Sequence, residues 1–548
     1  MKLLIVGGVA GGAAAAARYR RLDELAEIIM FEKGENISFA NCGLPYYAGG
    51  IIKERDSLLL QTPASFSKRF NIDVRINNEV VSINPKDKNI RIKDLKKGLE
   101  YVERYDKLII SPGAKPVLPG FEGIDLEDIY TIHTLPDIDR LKAKLDSGSV
   151  KKAVIIGSGF IGVEMAENIK LRNIDVVLRE RLDQVTPAFH KDMAVILHRE
   201  LESSGIHIIL SREVTAIKKS SGYIVETKSG DKVTCDIIII SIGVMPETKL
   251  FKDAGLNIGK TGVSVNNRMQ TNNPDIYAIG DAVETLNPLT GQNHYIPLAG
   301  PAAKQALVVA NNIFGIDDTY NGTYGTLIVN VFSLTAGMSG LSEKILKASG
   351  IKYEKIYTHT TNHAAYYPGA SQMSIKTLFD PVSGKLLGAQ IIGKDGVDKK
   401  TDIFALAIKN GLTMNALAEA EFSYAPPYGT VKDAINFIGM AAQNHVNGLS
   451  GFTHWDRLTG EEFLLDVRTP AEFKRGSVPG SVNIPLDELR ERINEIPKNK
   501  KTAVFCQSSV RAHNAVRILM QNGYDAYNLS GSYATYINYR DANLFDKS

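Results

Sequence analysis

Cysteine is scarce in this chain of 548 residues, which contains only Cys42, Cys235 and Cys506. They lie far apart and form no CxxC pair, so the sequence favours neither a disulfide-stapled fold nor a zinc or other metal site. An excess of one charge is also absent, because 64 Lys and Arg against 61 Asp and Glu give a net charge of +3. This balance argues against a nucleic-acid partner or an anionic membrane surface.

Long hydrophobic runs are missing as well. No stretch reaches the roughly 20 apolar residues of a membrane span. The N-terminal run LLIVGGVAGGAAAAA is interrupted by glycine and continues into RYRRLDELAE without a convincing cleavage region, which disfavours a signal peptide. We therefore expect a cytoplasmic protein with reduced thiols and no membrane partner.

Two segments with the order strand, glycine turn, helix and strand predict two nucleotide sites. The second contains GSGFIG, with Glu180 at the end of its next strand. Its glycines allow a tight turn, close approach of the backbone to a pyrophosphate, and packing of the helix on the strand. The first segment departs from this pattern, since Val9 replaces the middle glycine of VGGVAGG, and its second strand ends at Glu32.

The acidic residue of the second segment bears on cofactor choice. Glu180 would accept a hydrogen bond from a ribose 2′-hydroxyl and repel a 2′-phosphate, which favours NADH. Arg179 and Arg181 flank it and would each pair a phosphate, so NADPH stays open. Farther along, TNNPDIYAIGDAVE predicts a short strand that ends beside Asp281, a carboxylate suited to the ribityl chain of a flavin nucleotide.

Together these segments resemble the flavoprotein disulfide reductase superfamily over residues 1 to about 445. The resemblance implies FAD in the first site, held by Gly7, Gly8, Gly11, Gly12, Glu32, Lys33, Ser111, Gly113 and Asp281. It implies NADH or NADPH in the second site, held by Gly157, Gly159, Gly162 and Glu180.

Cys42 lies in ISFANCGLPYY, and its surroundings suit a redox role. Ile37 and Tyr47 occupy the positions five residues away, so the second cysteine of the usual active pair is absent. A helical turn after Cys42 predicts unpaired amides that lower the pKa of the thiol. A packed core thiol is the alternative, but Asn41 and Gly43 are poor core residues. SFANCGLPYY resembles the single-cysteine subgroup of coenzyme A disulfide reductases, NADH oxidases and NADH peroxidases.

Two further motifs, HAAYYPGA and FSYAPPYG, resemble the coenzyme A disulfide reductase branch. The resemblance implies that Tyr366, with Tyr367 adjacent, and Tyr424 reach the active cysteine from a partner subunit, which makes a homodimer. It also implies that coenzyme A contacts Arg18, Arg21, Ser38 and Asn41. Lys68 and Arg69 add local positive charge for its phosphates, although a solvated helix face is the alternative for these cations.

The C-terminal segments FLLDVRTPAEFKRGSVPGSVNIPL and CQSSVR resemble the rhodanese homology domain. Cys506 and Arg511 bracket four residues whose amides would surround the sulfur of a cysteine persulfide. The family often has glycine where this chain has Ser509, and a positive φ there would strain or reshape the loop. An inactive, structural rhodanese domain is the alternative.

These observations predict an α/β chain with two Rossmann-like dinucleotide-binding domains, an α+β dimerisation domain and a C-terminal α/β rhodanese-like domain. The expected limits are 1–113 with 242–322 for the FAD domain, 114–241 for NAD(P)H, 323–445 for dimerisation, a linker at 446–452, and 453–548 for the rhodanese-like domain. The expected enzyme passes electrons from NADH through FAD to Cys42 and reduces coenzyme A persulfide, polysulfide or coenzyme A disulfide, with Cys506 carrying sulfur. Three alternatives remain: a plain coenzyme A disulfide reductase with an accessory rhodanese module, an NADH oxidase or peroxidase that uses a Cys42 sulfenic acid, and a C-terminal domain that only docks a partner.

Overall fold

A computed structural model describes residues 1–544 of the chain. The chain divides into two compact units, Met1–Arg181 with Gly205–Thr323, and Leu182–Ser204 with Tyr324–Ser548. The last four positions of the predicted rhodanese-like domain, 545–548, lie outside the described residues. Within residues 1–544, no helix combines the length and the apolar character needed to cross a membrane.

The first unit begins with a parallel sheet of five strands, and its strand order is that of a Rossmann-like domain. In spatial order the strands are Ile276–Ala278, Lys107–Ile110, Lys2–Val6, Glu27–Glu32 and Asp73–Ile76. Apart from the edge strand Asp73–Ile76, which is only partly buried, these strands are apolar and buried on both faces, as parallel strands covered by helices usually are. Helices Gly11–Leu22 and Ala299–Phe314 pack against each other beside this sheet.

A second parallel sheet in the same unit repeats this plan. Its strands in spatial order are Ile206–Ile209, Asp175–Arg179, Lys152–Ile156, Ile237–Ile240 and Ile129–Tyr130. Helix Phe160–Lys170 follows the glycine turn. The two predicted nucleotide-binding folds are therefore confirmed.

Smaller elements complete the first unit. Two antiparallel sheets of three strands are formed by Asn78–Asn84, Asn89–Asp94 and Glu100–Arg104, and by Val214–Lys219, Tyr223–Thr227 and Lys232–Cys235. Two strand pairs join Ala114–Pro116 to Val244–Pro246 and Thr285–Asn287 to Gln292–His294. The remaining α-helices are Leu44–Gly49, Pro63–Phe70, Leu135–Asp146 and Lys249–Asp253. Short 3₁₀ turns cover Asn41–Gly43, Arg55–Leu58 and Gly280–Ala282.

The second unit contains an antiparallel sheet of five strands with helices, which confirms the predicted α+β domain. In spatial order its strands are Leu327–Val331, Leu334–Gly340, Leu386–Gly393, Gln372–Phe379 and Glu354–Thr361. Its helices are Lys191–Ser203, Glu343–Ala348, Val397–Lys409, Met414–Glu419 and Ala434–Val446. Strand Glu354–Thr361 lies at one end of this order, so it is an edge strand.

A parallel sheet of five short strands forms the C-terminal part of this unit. The strands in spatial order are Phe452–Thr453, Ala526–Leu529, Thr502–Phe505, Phe463–Asp466 and Val482–Asn483. Its α-helices are Pro470–Arg475, Val510–Gln521 and Ser532–Asp541, and 3₁₀ turns cover Trp455–Arg457, Leu486–Glu488 and Ile493–Glu495. The α/β class of this domain is as predicted. The residue limits of the four domains stay a prediction.

Candidate active sites

The first glycine turn leaves no room for a side chain at several of its glycine positions. Gly7 has φ +92°, and a Cβ there would lie 2.1 Å from the carbonyl oxygen of Ser111. A Cβ on Gly12 would lie 1.8 Å from the carbonyl oxygen of Gly7, and one on Gly11 would lie 2.8 Å from Ser111 Oγ. The backbone of the turn is therefore closely packed. Its N–H groups lie at the start of helix Gly11–Leu22, where a pyrophosphate would bind.

Glu32 ends the second strand beside this turn. Its carboxylate accepts hydrogen bonds from the backbone N–H groups of Gly8 and Gly34, each at 2.8 Å. These bonds fix the carboxylate at the end of the strand, where ribose hydroxyls of a nucleotide would reach its remaining lone pairs. Lys33 is exposed, and Gly113 has φ +73° with open space around it.

Asp281 and Tyr295 are polar groups that have no partner in the described part of the chain. Asp281 is half-buried in the 3₁₀ turn Gly280–Ala282, and burial raises the pKa of its carboxyl. The Tyr295 hydroxyl is buried without a hydrogen bond, and burial followed by the Asp281 charge raises its pKa. Unpartnered buried polar groups fit a ligand with several hydroxyls, so the residues in this region fit a flavin nucleotide.

The second glycine turn has the same construction. Gly157 has φ +102° and lies under Ser241, whose carbonyl oxygen would be 2.5 Å from a Cβ, while a Cβ on Gly162 would be 2.0 Å from the Gly157 oxygen. Gly159 has no atom within 4 Å of its Cβ position, which leaves room for a phosphate. Glu180 accepts from the Ser158 amide at 2.9 Å and from the Ser158 hydroxyl at 2.8 Å. The residues of this turn fit a pyridine dinucleotide.

The two arginines beside Glu180 differ in their exposure to solvent. Arg179 is fully buried, its guanidinium nitrogens have no hydrogen-bond partner among residues 1–544, and burial lowers its pKa. The Arg179 side chain therefore has no exposed surface from which to contact a 2′-phosphate. Arg181 is exposed. Of the two cations that flank Glu180, only Arg181 is therefore exposed, and the contact of Glu180 with a ribose stays a prediction.

Cys42 lies in the 3₁₀ turn Asn41–Gly43, directly before helix Leu44–Gly49. The residue is exposed and not in a disulfide. Burial of the thiol, followed by the charges of Glu164 and Asp281, raises its pKa. The predicted lowering of this pKa is therefore wrong for the protein alone, because burial of the thiol, together with the two nearby carboxylates, outweighs the backbone hydrogen bond. The thiol nevertheless lies near Asp281, at the predicted flavin site.

Glu164 and Tyr46 are residues of this site that the sequence did not reveal. The Tyr46 hydroxyl donates to Glu164 Oε1 at 3.2 Å. Burial raises the pKa of Glu164 to about 7, which places this carboxyl close to half-protonated near neutral pH. The only signal in the sequence is an acidic residue one turn into the helix after GSGFIG, and its pairing with Tyr46 depends on tertiary packing.

The predicted coenzyme A cations divide into one paired and three unpaired side chains. Arg18 donates through Nε and Nη2 to Asn311 Oδ1 at 3.0 and 2.9 Å. Within residues 1–544, no ion pair or side-chain hydrogen bond engages the exposed Arg21, Lys68 and Arg69. Arg20 joins their two helices, since it donates to the carbonyl oxygens of residues 70 and 71.

The two other residues predicted to touch coenzyme A lie near the first glycine turn and Cys42. Ser38 has φ +44°, and its N–H donates to the Gly8 oxygen at 2.9 Å. Asn41 is exposed beside Cys42.

The two predicted active tyrosines lie together in the second unit. The hydroxyls of Tyr366 and Tyr424 are 3.0 Å apart, and the side chains are 76% and 44% exposed. The hydrogen bond between the two hydroxyls raises the pKa of Tyr424. Tyr367 packs edge-on against His363 at 5.6 Å between ring centroids. The sequence placed these phenols 58 positions apart, and the fold brings them into contact.

Cys506 is buried at the end of strand Thr502–Phe505, and helix Val510–Gln521 begins four residues later. In the described chain, the N–H groups of Gln507, Ser508 and Ser509 donate to no protein acceptor. Ser509 has φ +82°, the conformation that makes glycine favourable there. Its hydroxyl lies 3.3 Å from the Leu529 oxygen and 3.2 Å from Ser532 Oγ. Ser509 thus adopts the left-handed conformation, and three consecutive N–H groups of the loop have no acceptor in the described chain.

Arg511 is held by Glu472, a contact that the sequence did not reveal. Two hydrogen bonds of 2.7 Å join the guanidinium to the carboxylate. These bonds lower the pKa of Glu472 to about 2, and the pKa of Arg511 is raised by Glu472 and, to a lesser degree, by Cys506. Glu472 also closes the capping box at the start of helix Pro470–Arg475. Arg511 is therefore fixed close to the Cys506 sulfur.

Three family models match the chain. The pyridine nucleotide-disulphide oxidoreductase model matches residues 1–306, its dimerisation-domain model residues 327–435, and the rhodanese-like domain model residues 453–538. The coenzyme A disulfide reductase of Staphylococcus haemolyticus is 36% identical over 445 residues, which cover 81% of this chain and 99% of that relative.

Two solved structures resemble almost the whole chain. Reduced CoADR-RHD of Bacillus anthracis matches with a TM-score of 0.96 and 46% identity over 98% of both chains. A NAD-dependent persulfide reductase from A. fulgidus matches with a TM-score of 0.92 and 34% identity, over 98% of this chain and 100% of that one. The glycine turns, the lone exposed thiol and these matches agree, and the chain belongs to the pyridine nucleotide-disulphide oxidoreductase family.

Proposed function

We propose that this protein is an FAD-dependent enzyme that uses NADH to reduce coenzyme A persulfide, polysulfide or coenzyme A disulfide. The observation that carries the proposal is Cys42, an exposed thiol beside Asp281 with no cysteine partner in its own chain segment. The other two thiols are buried, Cys235 in the core of the second nucleotide domain and Cys506 in the rhodanese-like domain. The second sulfur of a disulfide at Cys42 must therefore come from a substrate.

Both cofactors have residues suited to them. Gly7, Gly12, Glu32 and Asp281 would hold FAD, and Gly157, Gly162 and Glu180 would hold NADH. FAD, when bound, supplies the two-electron relay between the nicotinamide and a thiol. Glu180 supports NADH over NADPH because its carboxylate repels a 2′-phosphate.

The thiol chemistry at Cys42 balances with a coenzyme A persulfide. The thiolate attacks the sulfur bonded to coenzyme A, the S–S bond of the persulfide breaks, and hydrosulfide leaves. The resulting mixed disulfide then accepts two electrons and a proton, which release coenzyme A thiol and restore Cys42. With coenzyme A disulfide the same steps release two thiols.

Tyr366 and Tyr424 would assist the departing thiolate. A phenol with a pKa near or above 10 donates a hydrogen bond or a proton to a thiolate. We assign these phenols to the Cys42 of a second copy of the chain, which makes the active enzyme a homodimer. The match to a dimerisation domain supports this assignment.

The cations on the first unit would bind the phosphates of coenzyme A. Arg21, Lys68 and Arg69 are exposed and unpaired, as a binding site for a polyanion requires. Arg18 would exchange its bond to Asn311 for a phosphate. We place the enzyme in the cytoplasm, where coenzyme A and reducing conditions occur together.

Cys506 would act as a sulfur carrier. Its loop presents unpaired amides, and Arg511 adds positive charge, so an anionic persulfide would be stabilised there. The alternative of a plain disulfide reductase has one observation in its favour: 445 residues of this chain cover nearly the full length of the coenzyme A disulfide reductase relative. The rhodanese-like domain is therefore not needed for that activity.

The test is anaerobic NADH oxidation with four acceptors in parallel: coenzyme A persulfide, coenzyme A disulfide, polysulfide and hydrogen peroxide. We expect Cys42→Ser to lose turnover of every sulfur acceptor, whereas the matched control Cys235→Ala keeps it. Cys506→Ser should lose rate only with polysulfide and persulfide. Preference for peroxide over the sulfur acceptors would favour a peroxidase and contradict the proposal.

A further inference from the structure

The edge strand Glu354–Thr361 of the antiparallel sheet contacts the segment that follows the last strand of the rhodanese-like domain. The Tyr357 N–H donates to Ser530 Oγ at 2.9 Å. The His359 ring nitrogen Nε2 lies 2.8 Å from Thr535 Oγ1. An edge strand leaves backbone groups unpaired, and here a serine hydroxyl, rather than another strand, satisfies one of them. Residues 530–535 are called the support segment below.

The support segment also holds the loop that contains Cys506. The Cys506 N–H donates to Ser532 Oγ at 3.1 Å. In the opposite direction, the N–H of Tyr533 donates to the Cys506 oxygen at 3.0 Å, and the N–H of Ala534 donates to the Gln507 oxygen at 3.1 Å. Three hydrogen bonds thus join the support segment to Cys506 and Gln507, the first two residues of the loop that precedes helix Val510–Gln521.

The support segment has little freedom to move. Ser530, Ser532 and Thr535 are all buried. Gly531 has φ +71°, and a Cβ there would lie 1.9 Å from Thr535 Oγ1 and 2.7 Å from Tyr357 Cβ. Tyr357 therefore packs directly against the turn of the segment, and only glycine fits between them.

A buried charge network fixes Tyr357 from the other side. Its hydroxyl donates to Asp192 and lies 3.1 Å from the hydroxyl of Tyr539. Lys376 binds Asp192 through contacts of 3.0 and 2.9 Å, and it also pairs with Glu343. These groups are buried and multiply bonded, so the network is rigid.

His359 is fixed as firmly. Its Nδ1 lies 2.9 Å from Ser374 Oγ, while Nε2 faces Thr535. Burial lowers its pKa to about 4, so the ring is neutral at physiological pH and has one donor and one acceptor nitrogen.

We propose that Tyr357 and His359, which lie outside the rhodanese-like domain, are positioning residues for sulfur transfer at Cys506. This inference rests on the proposed carrier role of Cys506. In that role the Cys506 thiolate attacks the sulfane sulfur of a polysulfide, a new S–S bond forms, and the shortened polysulfide leaves with the electron pair. The strand holds the support segment, and the support segment fixes the backbone of Cys506 and Gln507, so that the N–H groups of the loop are in position to receive the anionic sulfur.

The experiment removes one hydroxyl from the support segment in the full-length holoenzyme. Thr535→Val keeps the volume of the side chain but loses the hydrogen bond to His359, and Thr535→Ser restores the hydroxyl. The matched control is Arg457→Gln, which breaks the exposed ion pair of Arg457 with Glu354 on the same edge strand and does not touch the support segment. Inorganic polysulfide is the probe, and intact mass after alkylation measures the rate of persulfide formation on Cys506.

We expect Thr535→Val to load sulfur about 10- to 100-fold more slowly, which is the size of effect that a displaced reacting group produces. Thr535→Ser and Arg457→Gln should load at nearly the wild-type rate. NADH turnover with coenzyme A disulfide should be unchanged in all three variants, and a cooperative urea unfolding transition like that of the wild type would show that their rhodanese-like domain folds. Loading of Thr535→Val at the wild-type rate would overturn the inference, and so would equal slowing in Thr535→Ser or Arg457→Gln.

Failure of the underlying carrier role gives a different result. In that case the wild-type enzyme gains no persulfide at Cys506, or Cys506→Ser gains the same mass as the wild type. A second variant, Ser530→Ala, removes the acceptor of the Tyr357 N–H and leaves His359 untouched. Slower loading in this variant as well would assign part of the effect to Tyr357, and an unchanged rate would overturn the role given to Tyr357.

Discussion

Replacing Lys376 by methionine should destabilise the second unit by about 3–5 kcal/mol. Lys376 is fully buried between the carboxylates of Asp192 and Glu343. Methionine fills a similar volume but leaves two buried negative charges without their shared cation. Breaking a buried ion pair from one side typically costs about 3–5 kcal/mol, because the remaining charge stays desolvated and uncompensated.

The chain carries its own reporter for this measurement. Trp455 is the single tryptophan, it is 4% exposed, and its Nε1 donates to the Ser532 oxygen at 2.9 Å. It belongs to the same buried cluster as Tyr357 and Tyr539. Urea unfolding followed by Trp455 fluorescence therefore reports loss of the structure that the network supports.

Lys344→Met is the matched control, because Lys344 is an exposed lysine in helix Glu343–Ala348. Its free energy of unfolding should stay within about 0.5 kcal/mol of the wild type. The double variant Asp192→Asn with Lys376→Met should recover part of the loss, since one of the uncompensated charges is removed. A loss below about 1 kcal/mol in Lys376→Met would refute the view that this network is a rigid, mutually compensated unit.

Three further outcomes are expected. Gly12→Ala should abolish FAD binding, measured by flavin absorbance of the purified protein, because its Cβ would lie 1.8 Å from the Gly7 oxygen, whereas Gly120→Ala has open space and should bind normally. Tyr424→Phe should slow turnover of coenzyme A disulfide by about 10²-fold, while NADH still reduces the flavin at the wild-type rate. Turnover of Tyr424→Phe at the wild-type rate would show that Tyr424 does not act as an acid. Stability should fall as pH drops from about 6.5 towards 4, because burial lowers the pKa of His359 to about 4 and the unfolded chain takes up the proton first. His359 alone contributes about 3 kcal/mol to this loss, so the free energy of unfolding of His359→Gln should depend less on pH. An unchanged pH dependence would contradict the view that the lowered pKa of His359 causes the loss.

The fold could be predicted where the sequence pattern that indicates it lies within one short stretch of the chain. Each nucleotide domain begins with a short apolar strand and a glycine turn within about twenty residues, so the sequence alone indicates it. The conformation at Ser509 was also open to prediction, since the left-handed requirement belongs to the loop itself. Cys42, Cys506 and Arg511 stand in motifs that identify them without knowledge of the fold.

The contacts that tune these sites were not predictable in the same way. Tyr46 and Glu164 are 118 positions apart, and Tyr357 and Asp192 are 165 apart. Their hydrogen bonds depend on how separate elements pack. The pKa of Cys42 shows the consequence: the helical turn alone predicts a lower value, whereas burial of the thiol in the fold, followed by the charges of two carboxylates, raises it.

The central claim is that Cys42 forms the covalent bond to the substrate sulfur. The most direct measurement is intact mass of the holoenzyme, reduced anaerobically with a thiol reductant, freed of that reductant and mixed with coenzyme A disulfide in the absence of NADH before acid quenching. We expect a mixed disulfide of coenzyme A on Cys42 that a thiol reductant removes and that Cys42→Ser lacks. Full coenzyme A disulfide turnover by Cys42→Ser, or an adduct mapped to Cys506 alone, would contradict it.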